Sequence, residues 1–145
     1  MIPALNNAEF IKYGVMHRNS YICSPKHLNY DFSLKNNPLV FIAGQLSGVE
    51  GYMESTASGL ISGIAMAKKI EGKTLAILPK TTIIGAITNY LVSAEEKNFQ
   101  PMNANFGILS PLDKVIKDKS LKKQEYSNRA INAIKEYKEN NDVEF

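Results

Sequence analysis

Gly44, Gln45, Gly48, Gly51, Tyr52 and Glu54 stand close together directly after an uninterrupted apolar run, Leu39-Val40-Phe41-Ile42-Ala43. Glycines spaced in this way permit backbone angles and close approaches that a Cβ forbids, which leaves room for a ligand against the main chain. An apolar strand running into such a turn and then into a helix is how α/β proteins bring backbone N–H groups up to a phosphate or the edge of a flavin. The chemistry expected here is therefore cofactor binding. Glu54 falls in the first helical turn, where the helix dipole favours a carboxylate, so a capping acid and a ligand contact are both open at that position.

The elements that must hold these residues follow from pattern. Residues 39–43, between Pro38 and Gly44, have the length and composition of a buried central strand, although periodicity alone does not separate this from a buried helix segment. From Tyr52 onward the spacing is helical, with Met53, Ala57, Leu60, Ile61, Ile64 and Ala67 on one side and Lys68 and Lys69 in the last turn. Gly59 and Gly63, one turn apart, would let this helix lie close on a sheet. Upstream, residues 8–22 have strand-like character from Phe10, Tyr13, Val15 and Tyr21, weakened by Gly14 and by His17-Arg18. Residues 27–37 are polar and turn-rich, and form a loop on this reading.

Downstream, Glu71-Gly72-Lys73 makes a turn and residues 74–78 form a small strand or an extended connector. Thr82 begins a second helix with Ile83, Ile87, Tyr90, Leu91 and Ala94 on one face. Residues 97–112 form a long irregular segment, of a kind that is usually functional or disordered. The tail opens with Lys114, Lys117, Lys119, Lys122 and Lys123 against Asp118, and continues with Tyr126, Ala130, Ala133, Ile134 and Tyr137 at the spacing of an amphipathic helix. Lys119, Lys122 and Lys123, with Arg129, are candidates for RNA phosphate contacts. A solvated helix face is the preferred reading, because acids return at Glu125, Glu136 and Glu139. Phe99, Met102 and Phe106 alternate with Gln100, Asn103 and Asn105. Such a set stacks on and reads exposed bases, or equally pins a loop to the core while its amides satisfy the backbone.

Composition narrows the function classes. The chain has 145 residues, 44% of them hydrophobic, enough for one domain-sized core, and a formal charge of +3 that is compatible with RNA without being evidence for it. Its single cysteine, Cys23, excludes an internal disulfide framework and reads as a small structural hydrophobe. No run approaches the roughly 20 apolar residues of a membrane helix, the first residues lack the pattern of a signal peptide, and the cytoplasm is the expected compartment. His17 and His27 have no zinc-like spacing, so no metal is expected, and neither a nucleophile elbow nor a Walker-type loop is present.

Four blocks carry a resemblance. They are the 39–54 stretch; Asn7-Ala8-Glu9-Phe10-Ile11-Lys12-Tyr13-Gly14-Val15-Met16-His17-Arg18-Asn19, followed by Ser24-Pro25-Lys26; Thr81-Thr82-Ile83-Ile84-Gly85-Ala86; and Phe99-Gln100-Pro101-Met102-Asn103-Ala104-Asn105-Phe106-Gly107. In this order they resemble the C-terminal part of the folate- and FAD-dependent RNA uridine-5-methyltransferases, the TrmFO or Gid family. The fold implied is α/β: the C-terminal portion of a Rossmann-like FAD-binding domain in residues 1–80, a helix with a family-specific irregular segment in 81–112, and a basic amphipathic helix in 113–145.

The activity implied is transfer of a one-carbon unit from methylenetetrahydrofolate to carbon 5 of a T-loop uridine of tRNA, completed by FAD that NAD(P)H keeps reduced. A paralogous form acting on ribosomal RNA is the alternative. The resemblance makes Gly44, Gln45, Gly48, Gly51, Tyr52 and Glu54 the FAD contacts, with Gln45 hydrogen bonding to the flavin. His17 and Arg18 become candidates for holding an anionic ring, a folate carboxylate or the RNA backbone, against a strand-edge salt bridge as the alternative. The dinucleotide fingerprint and the catalytic cysteines of the family have no counterpart here, and Cys23 stands where relatives usually carry asparagine. The chain is therefore expected to be a fragment, poorly stable and without methyltransferase activity alone. It would act with a separately encoded N-terminal half, or persist as a non-catalytic RNA-binding or interaction remnant.

Overall fold

The computed structural model describes residues 2–9, 11, 14, 19–141 and 143. Its longest inner element is helix α2, Tyr52–Ile70, which begins at Gly51 and ends beyond Lys68 and Lys69. Those two lysines do more than face the helix dipole. Lys68 Nζ donates to the Asn141 carbonyl at 3.1 Å, and the Lys69 ammonium lies 5.9 Å from the centre of the Phe41 ring. Helix α3, Ile83–Ser93, is capped by Thr82, whose Oγ1 accepts from the Gly85 N–H at 3.1 Å and donates to the Pro79 carbonyl. Ile87 and Leu91 on α3 are almost wholly buried, as the spacing predicts.

Helix α4, Lys119–Asn141, carries the tail. Asp118 caps it by accepting from the Leu121 N–H at 2.8 Å, and Tyr126 and Tyr137 are its buried residues. The principal core joins Leu28, Phe32, Val49, Ile61, Leu78, Ile87, Leu91, Phe99, Tyr137 and Val143. It draws side chains from all along the chain.

The sheet is small. Strand β1, Val49–Glu50, pairs in parallel with strand β2, Met102–Asn103, in the register Val49 to Met102 and Glu50 to Asn103. The Met102 N–H also donates to the Gly48 carbonyl at 2.9 Å. Helices around a parallel pair agree with an α/β class.

Two strand expectations are corrected. Residues 39–43 do not form a central strand: Leu39 lies in a turn and is 77% exposed. The Val40 N–H bonds the Asn37 carbonyl, and the chain folds back so that Leu34 N–H donates to the Val40 carbonyl and Ile42 N–H to the Phe32 carbonyl. An apolar run needs neighbours on both faces to be a buried strand. Among the described residues this run has only the antiparallel bridge from Phe41 to Ser33. Within 8–22, no described residue is in a strand, and the Ile22 N–H instead bonds the Leu46 carbonyl at 2.9 Å. Phe10, Tyr13, Val15, His17 and Arg18 lie outside the described residues.

Helix α2 turns only part of its apolar stripe inward. Its buried residues are Ser58, Ile61, Ser62 and Ala65; of the apolar stripe Ile61 is in the core and Ile64 packs against it, whereas Met53 and Leu60 are exposed. Gly59 and Gly63 face open space and do not lie on a sheet.

Candidate cofactor cleft

A short 3-10 helix, Gly44–Ser47, and the N-terminus of α2 are locked together by serines. Ser24, fully buried in the short helix α1, Ser24–His27, donates its hydroxyl to the Ser47 carbonyl at 2.6 Å. Ser58 Oγ accepts the Gly44 N–H at 2.8 Å and donates to the Ser55 carbonyl. Small hydroxyl residues suit this place because a buried N–H left without an acceptor is costly.

The two glycines that follow are required by the chain's own geometry. Gly48 has φ +85°, and a Cβ there would meet Cζ of the Phe99 ring at 2.7 Å. Gly51 has φ +99°, and a Cβ there would collide with the Glu54 carboxylate. Glu54 in turn accepts the Ala104 N–H at 2.9 Å, tying the first turn of α2 to the chain just past β2. Its position between the helix start and a loop N–H is that of a structural tether.

Beside this turn opens a cleft of about 610 Å³ lined by Asn19, Gln45, Glu50, Gly51, Tyr52, Ser55 and Asn103. Of the residues singled out in the sequence, Gln45, Gly51 and Tyr52 come together here, while Gly44, Gly48 and Glu54 are not among the lining residues. The side-chain nitrogen of Gln45 is buried with no hydrogen-bond partner, a donor waiting for an acceptor. Glu50 and Ser55 belong to the turn and its helix but were not singled out as contacts, and Asn19 and Asn103 were not tied to this turn by sequence. Asn103 reaches it only because β2 pairs with β1, a contact between dipeptides too short to carry a pattern.

The other candidates lie elsewhere. Lys119, Lys122 and Lys123 are exposed at the start of α4. Arg129 is committed within the fold: its guanidinium donates to the Ser110 and Pro111 carbonyls and sits 5.1 Å from the centre of the Tyr126 ring. Phe99 is a core pin, stacked on Tyr90 at 5.8 Å and edge-on to Tyr21 at 6.1 Å. Asn105 satisfies its own loop, accepting from the Gly107 N–H and donating to the Asn103 carbonyl. Cys23 precedes α1 and is partly exposed. Among the described residues no group of three or more His, Cys, Asp or Glu is placed to hold a metal, and no helix is long and apolar enough to cross a membrane.

Known proteins match this chain closely. Proteins named methylenetetrahydrofolate–tRNA-(uracil-5-)-methyltransferase TrmFO are similar to it in Anoxybacillus flavithermus, 50% identical over 136 residues, and in Bacillus subtilis, 50% identical over 134 residues. These matches cover 94% and 92% of the chain but 32% and 31% of the relatives. A Syntrophomonas wolfei protein of the same name is 50% identical over 139 residues, 96% of the chain and 32% of its own length. The chain thus spans about a third of the length of the curated relatives it matches. The family model described as glucose inhibited division protein A matches residues 1–74, through the glycine-spaced turn and all of α2, and the chain belongs to that family.

Proposed function

We propose that this chain forms the C-terminal part of a methylenetetrahydrofolate-dependent tRNA uridine-5-methyltransferase, in which the cleft beside Gly51 holds part of FAD within a Rossmann-like domain. The observation that carries the reading is the unpartnered, buried Gln45 amide nitrogen in that cleft, in a chain half-identical to proteins of that name. A buried N–H donor fits a carbonyl or ring nitrogen of a flavin edge. Gly51 and Tyr52 present the first N–H groups of α2, whose positive dipole end favours electron-rich groups. Bound FAD, kept reduced by NAD(P)H, would supply the electrons that convert the transferred one-carbon unit to a methyl group. The chain's own part is to orient the flavin: Gln45 donates, and the Glu54 tether keeps the helix start in place.

The folate-side domain and the catalytic nucleophile belong to the portion of the relatives that this chain does not span, supplied within a longer polypeptide or by a separately encoded half. The exposed Lys119, Lys122 and Lys123 would meet RNA phosphates, and the enzyme would work in the cytoplasm. A ribosomal RNA substrate is the alternative.

The test exchanges the matched segment of the Bacillus subtilis relative for this chain. The chimera should retain flavin and methylate carbon 5 of uridine in tRNA when given methylenetetrahydrofolate. Gln45→Leu should weaken flavin binding about tenfold, the worth of one hydrogen bond. A soluble, folded chimera without flavin or activity would sink the reading.

A further inference from the structure

We infer that the outward face of α2 is a packing seam, and that the rest of the family protein, the two thirds of its length this chain does not span, seats on it with its backbone close against Gly59 and Gly63. The inference rests on the family membership and on the reading of the chain as part of a longer enzyme.

The first observation is a helix with apolar residues on its outward as well as its inward side. A surface helix normally buries its apolar stripe and shows its charges. Helix α2 is apolar on both sides: it buries Ile61 and Ala65 together with Ser58 and Ser62, whose hydroxyls bond α2 carbonyls, and it also turns Tyr52, Met53 and Ile70 outward, at 95%, 81% and 82% exposed. Leu60 and Met66 are exposed along the same helix. No charged residue lies among its exposed positions. A face of this kind is complementary to an apolar body, and ill suited to an RNA backbone.

The second observation is at the glycines. A Cβ built on Gly59 or on Gly63 would find nothing within 4 Å. Neither glycine serves the packing of this chain, in contrast to Gly48. Glycine within a helix is unfavourable, and one turn apart two of them open a shallow groove that admits another backbone at close range.

The third observation is one of area. The accessible surface is 10399 Å², against about 7400 Å² for a compact monomer of this mass. The excess of about 3000 Å² belongs to the chain as a whole, the exposed N-terminal residues and α4 included, and exceeds what a standard protein interface covers on one partner. The relatives, each about three times the chain's length, supply a body of the right size.

The experiment uses the chimera described above and this chain alone, each with Gly59→Leu/Gly63→Leu. In the isolated chain the leucines enter open space and improve the helix, so helix content measured by circular dichroism should hold or rise. In the chimera the same side chains should overpack the seam and lower the thermal midpoint by at least ~5 °C. Opposite responses support the seam. A chimera whose midpoint is unmoved, or an unsubstituted chimera that does not fold, overturns it. A chimera that folds, responds to the leucines and holds no flavin keeps the seam while the cofactor reading fails. One that binds flavin and ignores the leucines does the converse.

Discussion

Phe99 and Gly48 form a tight constraint in the turn that leads to the cleft. The ring stacks on Tyr90 and closes over a glycine whose φ of +85° puts it in the left-handed region. Gly48→Ala would therefore incur two penalties, the left-handed conformation of a residue with a Cβ and a collision with the ring. The expected loss is about 2 kcal/mol or more, read as a lower denaturation midpoint with an unchanged slope. Phe99→Leu in the same background should recover part of it, because the ring is what the new methyl group meets. Equal stability of the alanine variant and the parent would show that the turn is free to relax. The glycine pattern itself was legible in the sequence, and cofactor approach was the first use suggested for it. At Gly48 the Phe99 ring, and at Gly48 and Gly51 alike the positive φ, already account for the missing side chain. Sequence did not show this because the ring comes from a segment far along the chain.

At the scale of elements, Tyr137 shows how α4 is held. Its hydroxyl donates to the Ala76 carbonyl at 2.6 Å, and burial raises its pKa above the usual 10.0. The neutral phenol is the form the fold prefers. An acid whose pKa is raised on folding contributes stability that is present below the unfolded value and lost as pH rises through the folded one. Docking of α4 should therefore hold at neutral pH and weaken above about pH 10. Tyr137→Phe should remove that alkaline step while losing one hydrogen bond, about 1 kcal/mol, at neutral pH. Amide exchange along α4 as a function of pH reads both effects, and an alkaline step that survives in the phenylalanine variant would assign it elsewhere. The three long helices were legible because each repeats apolar residues over several turns, and Thr82 announced the start of α3. The strands were not. Val49–Glu50 and Met102–Asn103 are strands only through each other. Residues 39–43, which have the composition of a central strand, lack the neighbouring strands that would make them one.

For the whole molecule, the same imbalance decides behaviour. Spacing identified an apolar stripe on α2 but could not say which way it points, because direction depends on what fills the interior. Here the inner side is set by Ser58 holding the Gly44 N–H and by Ile61 in the core, so the stripe is split: Ile61 and Ile64 pack inward while Met53 and Leu60 turn out to solvent. Leu39 and Val115 add further exposed apolar surface away from α2. Large contiguous apolar patches on a free monomer drive association. The isolated chain should accordingly self-associate: its sedimentation coefficient should rise with concentration, and it should enhance the fluorescence of a dye that binds apolar surface. Leu60→Lys/Met66→Lys puts charge on the outward face without touching the core, so it should suppress both signals and leave helix content intact. The net charge of +3 is too small to prevent contact between faces that carry no charge of their own. A parent chain that stays monomeric and binds no dye across the concentration range would mean that the outward face of α2 folds onto something within the chain.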